Sequence, residues 1–477
     1  MNFTSNKNFE VKVFFVYEGQ GLDMLTQETL EYAQKQLLFK GKAGQIYSHL
    51  GPRTENKILV GLGKKEALTT NILRQAGHDA GAELNKHKVI KASIHKITHP
   101  DMDTFGFAQY LAEGFMQNDY QFDRYKEKPQ PKTLKLLSFE GYKDTEGLEE
   151  SLTEIVNVMD GVSMAKDMVN LPPNELTPET MAMLAQQELG KIGVSVEIFG
   201  EEWIKEQGMD AYMAVADGSK NRPRFIQLSY LPLGEEVPAV ALVGKGLTYD
   251  TGGYALKPAA SMRTMKCDMG GSASVFGTIY ALAKNQIQAN VVGIVAAAEN
   301  MISGNAMRND DIVSSMKGLS IEIGNTDAEG RLTLADALYY AATQVNSEWI
   351  IDIATLTGAA VVALGDHTTA AITNNDDFLA KIQASAEASG EYVWQLPSYP
   401  EMRKQIKGEF TDLVNVTGRM GGAITAGLFL EEFVEKKPWV HLDIAGPAYT
   451  KTGWGYLHKG GTGIPVKTLY NFLKNRG

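Results

Sequence analysis

The pattern of apolar and polar positions along the chain switches repeatedly between two periods. Val11–Tyr17, Lys57–Gly61, Val89–Ile97 and Leu134–Phe139 are β-branched or apolar runs of strand length. Between them, Met24–Phe39, Ala67–Lys86 and Thr104–Gln117 carry apolar residues at helical spacing. Strands that alternate with helices imply a sheet with helices packed on its faces. A long helical pattern then runs from Thr145 to Asn170 and stops at Leu171-Pro172-Pro173-Asn174. Proline ends it because it has no N–H to donate and its ring clashes with the preceding turn. Thr177-Pro178-Glu179-Thr180 reads as the next helix start, with Thr177 as N-cap and Pro178 at the first helical position.

From Val194 the alternation resumes and is denser. Strands are predicted over Val194–Phe199, Phe225–Tyr230, Ala239–Gly244, Val291–Ala297, Trp349–Thr355 and Val440–Ile444. Most are apolar without interruption, as strands covered on both faces are. The 477 residues exceed what one core of ordinary size holds. The pattern therefore predicts an α/β protein of two domains. A smaller N-terminal α/β domain spans 1–144, a linker helix spans 145–172, and a larger C-terminal domain with a central mixed sheet flanked by helices spans 173–477.

Charge narrows the range of partners. Lysine and arginine total 46 against 57 aspartates and glutamates, a net −11 that repels phosphate backbones and anionic lipid. The single cysteine, Cys267, rules out an intrachain disulfide and fits a reducing compartment. The opening residues lack a basic stretch followed by an apolar run, and no apolar run approaches the ~20 residues that span a bilayer. A cytoplasmic location is expected, with no membrane partner.

Three blocks at the ends of buried strands carry candidate chemistry, where open α/β sheets place their ligands. The first, Val243 to Pro258, sets Lys245, Asp250 and Lys257 on what reads as a glycine-rich loop. Burial lowers a lysine's pKa, and the neutral amine can then coordinate a metal; the alternative is a strand turn with solvated charges. In the second, Asp268 stands ahead of Gly270-Gly271 and a helix expected from about Ser272 to Lys284. An N-capping aspartate is the alternative there, but Asp268 lies four residues ahead of that start.

The third block runs Asn325-Thr-Asp327-Ala-Glu329-Gly-Arg331 and leads into an amphipathic helix. In an extended segment, Asp327, Glu329 and Arg331 would point the same way, and two stacked carboxylates repel unless a cation lies between them. An acidic first helical turn is the competing reading, and Asp336, at helical spacing, reads as one more surface charge. Pooled, Lys245, Asp250, Asp268, Asp327 and Glu329 form an oxygen-rich set suited to divalent cations. A P-loop, an H-E-x-x-H helix and a G-x-S-x-G elbow are absent, no histidine stands near Cys267 in sequence, and five histidines (His49, His78, His87, His95, His99) are scattered. Hydrolysis by metal-activated water remains.

These blocks closely resemble the signature of the leucyl aminopeptidase (cytosol aminopeptidase) family. Supporting matches are Phe122-Asp-Arg-Tyr-Lys126, Leu171-Pro-Pro-Asn-Glu-Leu-Thr-Pro178, Ala354-Thr-Leu-Thr-Gly-Ala359 and His441-Leu-Asp-Ile-Ala-Gly446. The resemblance is strong over about 120–477 and weak before. It implies an aminopeptidase that removes N-terminal, leucine-like residues from short peptides with a free N-terminus. It also implies two adjacent divalent ions (Mn2+ or Zn2+, or Co2+) and a hydroxide shared between them. Lys245, Asp250, Asp268 and Glu329 would serve the tighter ion, and Asp250, Asp327 and Glu329 the more exchangeable one. By the same likeness, Lys257 and Arg331 would be the catalytic pair, with a bicarbonate-like anion at Arg331. Met265, Thr355, Gly358 and Gly461 would border the side-chain pocket, and the assembly would be a homohexamer. The chain departs from the family at Arg308-Asn-Asp-Asp311, where R-P-G-D is usual. A hexameric nucleic-acid-binding regulator with secondary peptidase activity is the alternative, and the acidic balance speaks against it; a two-metal phosphoesterase is a further one.

Overall fold

The computed structural model describes residues 1–5, 7–9, 11–19, 27–51, 55–129 and 131–476. The chain divides into two compact units, Met1–Met159 with Gly453–His458, and Asp160–Thr452 with Lys459–Gly477. The division falls inside the helix Thr145–Asn170.

The first unit holds a six-stranded sheet of β1 (Asn2–Ser5), β2 (Val11–Tyr17), β3 (Ile46–His49), β4 (Asn56–Gly63), β5 (Lys91–His95) and β6 (Leu136–Glu140). Their order is β1-β6-β5-β2-β4-β3, parallel throughout except for the β3–β4 pair. The helical pattern of Met24–Phe39 corresponds to a helix over Gln27–Lys35; its predicted residues 24–26 lie outside the described residues. Helices Thr70–Lys86 and Thr104–Asp119 pack closely because Gly77 and Gly114 sit where they meet. A Cβ on either glycine would collide with the backbone of the other helix. Arg74 and Glu113 form a buried ion pair between these helices, with the Tyr110 ring centroid 4.8 Å from the guanidinium carbon.

The second unit is built on β7 (Ser195–Phe199), β8 (Arg224–Tyr230), β9 (Ala239–Asp250), β10 (Val291–Asn300), a small pair β11 (Ile312–Ser314) and β12 (Ser320–Glu322), then β13 (Ser347–Ala354), β14 (Thr368–Thr373), β15 (Tyr392–Gln395), β16 (Leu413–Val414) and β17 (Trp439–Asp443). Eight of these form the central sheet, in the order β15-β14-β17-β13-β9-β10-β8-β7. The middle four, β17, β13, β9 and β10, run parallel, and antiparallel partners β14 and β8 close them off on either side. The sheet is thus mixed, as expected. Every residue of β10 is buried, which is why its sequence shows no polar alternation. Helices Gly270–Lys284 and Gly330–Thr343 pack on β9 and β13. The predicted cap at Thr177 forms in full: its hydroxyl accepts the Thr180 N–H, and the Thr180 hydroxyl accepts the Thr177 N–H in return. Among the described residues no helix is long and apolar enough to cross a membrane.

Candidate metal centre and active site

The site forms at the carboxyl ends of the parallel strands. β9, predicted to stop at Gly244, continues to Asp250, so Lys245 and Asp250 are strand residues and not parts of a loop. The glycines that suggested a loop serve packing instead: a Cβ on Gly244 would come within 2.6 Å of Ser272 Cα in the adjoining helix. Residues five apart on a regular strand face opposite sides. Here the pairing with β10 shifts register, Ala298 opposing Leu247 and Glu299 opposing Tyr249, so Thr248 is one extra residue. This bulge reverses the alternation and lets Lys245 and Asp250 converge.

Asp327 and Glu329 come together differently from the sequence expectation. The segment is a turn entering a helix and not an extended strand, since Glu329 takes φ −76, ψ −34 immediately before the helix Gly330–Thr343. The turn is held by polar groups: Asp327 N–H donates to Asn325 Oδ1 (2.8 Å), Thr326 Oγ1 to the Gly252 carbonyl (2.7 Å), and Asn415 Nδ2 to the Asn325 carbonyl (2.8 Å). Gly330 leaves room for the Lys245 side chain, which a Cβ there would displace. Asp336 is likewise not a surface charge. It is fully buried and accepts the N–H groups of Tyr212 (2.9 Å) and Met316 (2.8 Å). Burial pushes its carboxyl up to about 7. Helical spacing places a residue on a face, and here that face is covered.

Lys245 Nζ lies 2.7 Å from Asp268, 3.0 Å from Glu329 and 3.2 Å from the Thr355 carbonyl, and is almost wholly buried. Lys257 Nζ lies 2.8 Å from Asp250 and 2.5 Å from Asp327 at a more open position. Asp250, Asp327 and Glu329 each offer an oxygen, all within 4.8 Å of one another. Four buried or half-buried carboxylates thus face two ammonium groups. Burial, and then repulsion from Asp250, raise Glu329 to about 8; burial chiefly lifts Asp268 to about 6 and also raises Asp327. Among the protein groups alone Lys245 is an ammonium, and a metal ion that took its amine would displace a proton. Burial opposes its charge, but Asp268, Glu329 and Asp250 outweigh it and hold the pKa above the usual lysine value. Burial opposes the charge on Lys257 too, and Asp250 and Glu329 outweigh it. Burial lowers Arg331 to about 10, so it stays cationic at neutral pH.

The residues fit divalent cations. Glu329 Oε2 is buried with no hydrogen-bond partner, and such an atom costs several kcal/mol less once a cation faces it. Hard carboxylate oxygens at this spacing are the donors such ions take.

Beside this cluster opens a cavity of about 570 Å3, lined in part by Lys257, Asp327, Arg331 and Gly358. Of the four residues proposed for a side-chain pocket, Gly358 lies on it. Thr355 instead donates its hydroxyl to Asp268 Oδ1 (2.9 Å), beneath the cluster. Met265 sits in the short turn that leads to Asp268, and Gly461 is buried, with its N–H donated to Asn170 Oδ1 (2.9 Å); neither lines this cavity. Arg308-Asn-Asp-Asp311 closes on itself through a 2.9 Å Arg308–Asp311 ion pair, and Asp310 adopts φ +70 where the family has glycine.

Two neutral residues that the sequence reading passed over organise the site. Asn300, ending β10, donates Nδ2 to Asp250 Oδ1 (2.8 Å) and to the Thr326 carbonyl (3.1 Å). Asn415, just past β16, bridges the Asn325 turn and accepts Arg331 Nη1 on its carbonyl (2.7 Å). Asparagine has no characteristic spacing, so neither left a signal in the sequence. Asp443, inside the quoted His441-Leu-Asp block, accepts the Leu356 N–H (3.1 Å) and the Thr357 hydroxyl (2.7 Å), fixing the chain beside Gly358.

A mixed sheet whose parallel strand ends gather a buried acidic cluster, with a lysine and an arginine lining the adjoining cavity, fits a metal-dependent hydrolase. Residues 163–470 match the model of the cytosol aminopeptidase family, catalytic domain, and residues 15–129 that of its N-terminal domain. A Clostridium tetani protein named probable cytosol aminopeptidase is 46% identical, covering 99% of each chain, and one from Aquifex aeolicus is 41% identical over 96% of this chain and 94% of its own. A mutant of tomato leucine aminopeptidase superposes with TM-score 0.90 at 34% identity over 99% of this chain and 96% of that one. The bottromycin maturation enzyme BotP, solved in complex with Mn, does so with TM-score 0.88 at 30% identity over 98% of this chain and 99% of its own. The chain belongs to the cytosol aminopeptidase family and is a metal-dependent aminopeptidase.

Proposed function

We propose that the protein uses two divalent ions to remove apolar, leucine-like N-terminal residues from short peptides. The observation that carries this reading is the convergence of Asp250, Asp327 and Glu329 within 4.8 Å, with Glu329 Oε2 left without a partner. Lys245, Asp250, Asp268 and Glu329 would hold one ion, and Asp250, Asp327 and Glu329 the other. Bound there, divalent ions supply Lewis-acid activation of water and of the scissile carbonyl. Manganese, zinc and cobalt all suit this donor set, and the Mn complex of a structural neighbour favours manganese.

The chain's own groups do the rest. Lys257 is a fixed cation at the rim of the cavity, where it can stabilise negative charge developing on the carbonyl oxygen. Arg331, buried with its Nε unpartnered, would hold a small anion such as bicarbonate, which would supply general-base chemistry beside the ions. Asn300 and the Gly252 N–H, 2.8 Å from Asp250 Oδ1, fix that carboxylate before an ion arrives. Gly358 would border the apolar pocket for the departing residue, and Met265, Thr355 and Gly461 would contribute to that pocket outside the cavity described above. A cytoplasmic homohexamer acting on peptides with a free N-terminus completes the reading, and the net acidic charge argues against nucleic acid as a partner.

The test is hydrolysis of leucine p-nitroanilide by metal-stripped protein, with manganese, zinc or cobalt added back separately. Activity restored by at least one ion supports the reading. No activity with any of them, in folded protein, sinks it.

A further inference from the structure

The cavity beside the metal cluster is lined by three cations, and two of them are engaged. Lys257 pairs with Asp250 and Asp327, and Arg331 donates to the Asn415 carbonyl. The third, Arg419, makes no hydrogen bond or ion pair among the described residues, although acids outnumber bases 57 to 46 in the chain. It is exposed, on the segment between β16 and the helix Gly422–Glu431. Gly418 at φ +99 and Gly421 at φ +63 bracket it, so the backbone turns through left-handed conformations on both sides of the arginine. An exposed arginine is ordinarily a solvated surface cation. Arg419 differs in lining the same cavity as the catalytic groups, where Asp327 is the sole acid of the lining and Leu356, Val362, Val416 and Ile424 give it an apolar character.

Reach limits what Arg419 can meet. Asn415, whose carbonyl holds Arg331, precedes it by four residues, and four residues fully extended span at most about 14 Å. By the same length per residue, the free amine and the C-terminal carboxylate of a di- or tripeptide lie roughly 7–10 Å apart. Asp327 of the cluster and Arg419 line the same cavity, so a peptide seated there with its amine at the cluster can present its terminal carboxylate to this guanidinium. A planar guanidinium also matches a carboxylate with two parallel N–H donors.

We propose that Arg419 receives the C-terminal α-carboxylate of di- and tripeptide substrates, so that the enzyme favours short peptides with a free C-terminus. The inference rests on the aminopeptidase reading above. The experiment uses the full-length, metal-loaded enzyme and compares kcat/KM for Leu-Gly-Gly and for its C-terminal amide. An ion pair at an exposed rim shifts such a ratio by no more than about fivefold. The expected result is a several-fold preference of the wild type for the free acid, which shrinks at high salt. Arg419→Ala brings the ratio to about one, and Arg419→Lys leaves it in between. A ratio near one in the wild type, or the same ratio in wild type and Arg419→Ala, overturns the inference. Leucine p-nitroanilide, which has no carboxylate, separates the two levels. If the wild type fails on it with every metal, the aminopeptidase reading falls and takes this inference with it; if it is turned over and the ratio is flat, Arg419 alone is misassigned.

Discussion

In the N-terminal unit, Arg74 and Glu113 meet between two helices, one base against one acid. At the strand ends of the C-terminal unit, Asp250, Asp268, Asp327 and Glu329 face Lys245 and Lys257, two carboxylates in excess. Both arrangements take charge out of water, which costs several kcal/mol per ion before pairing repays it. The first is matched from within the chain and needs nothing further, as a structural pair does. The second is matched from outside, by protons on its raised acids or by divalent cations in their place. Unbalanced buried charge, more than buried charge as such, separates a binding site from a structural pair.

The sharpest way to break this comparison is to remove one acid from each unit. Glu329→Gln is expected to lower leucine p-nitroanilide turnover by about 10^3-fold, the scale of losing a central electrostatic group, while circular dichroism stays native. Full activity in that variant would show that the excess charge has another purpose. Glu113→Gln is expected to do the reverse. It takes the Glu113 carboxylate from the buried Arg74 and costs about 3–5 kcal/mol in chemical denaturation, with activity retained wherever the protein is folded. A neutral effect on stability would make the matched pair dispensable.

Smaller effects sharpen the same contrast. Asn300→Ala frees Asp250 Oδ1 from one of its donors and is expected to weaken metal affinity about 10–100-fold by titration against a chelator, with little change in melting temperature of the metal-loaded form. The pH dependence of the metal-free protein comes last. Glu329 is raised from 4.5 to about 8 and Asp268 from 3.8 to about 6. The native state therefore binds more protons than the unfolded chain across that window, and stability falls as pH rises through it. The lysine partners titrate above this range. Bound cations reverse the trend, because protons compete with them for the same oxygens and for Lys245. Melting temperatures with and without chelator should diverge as pH rises from 5 to 8; parallel curves would contradict the assignment of these acids.

Much of this was legible in the sequence. The uninterrupted apolar run of β10 marked a buried strand, and the Asn325–Arg331 block marked the acids. What could not be read has definite causes. Gly244 and Gly246 look like loop residues in a string of letters, and only the fold shows that Gly244 makes room for the neighbouring helix and Gly246 for strand β10. Asp336 obeys helical spacing, but the turn and helix that cover it come from residues 210–216 and 315–319, more than a dozen positions away. Asn300 and Asn415 act through a few long-range hydrogen bonds each, which impose no pattern on neighbouring residues.

The extra residue at Thr248 has a consequence for how such a site tolerates change. On a strand, side is a matter of odd and even, and the bulge makes an odd interval behave as an even one between Lys245 and Asp250. Substitutions can vary the chemistry of Thr248, but a deletion there would alter the arithmetic and send Asp250 to the far face of the sheet. The length of this strand is therefore a quantity the site depends on, so an insertion or deletion between Lys245 and Asp250 would break up the cluster even with each of its residues intact.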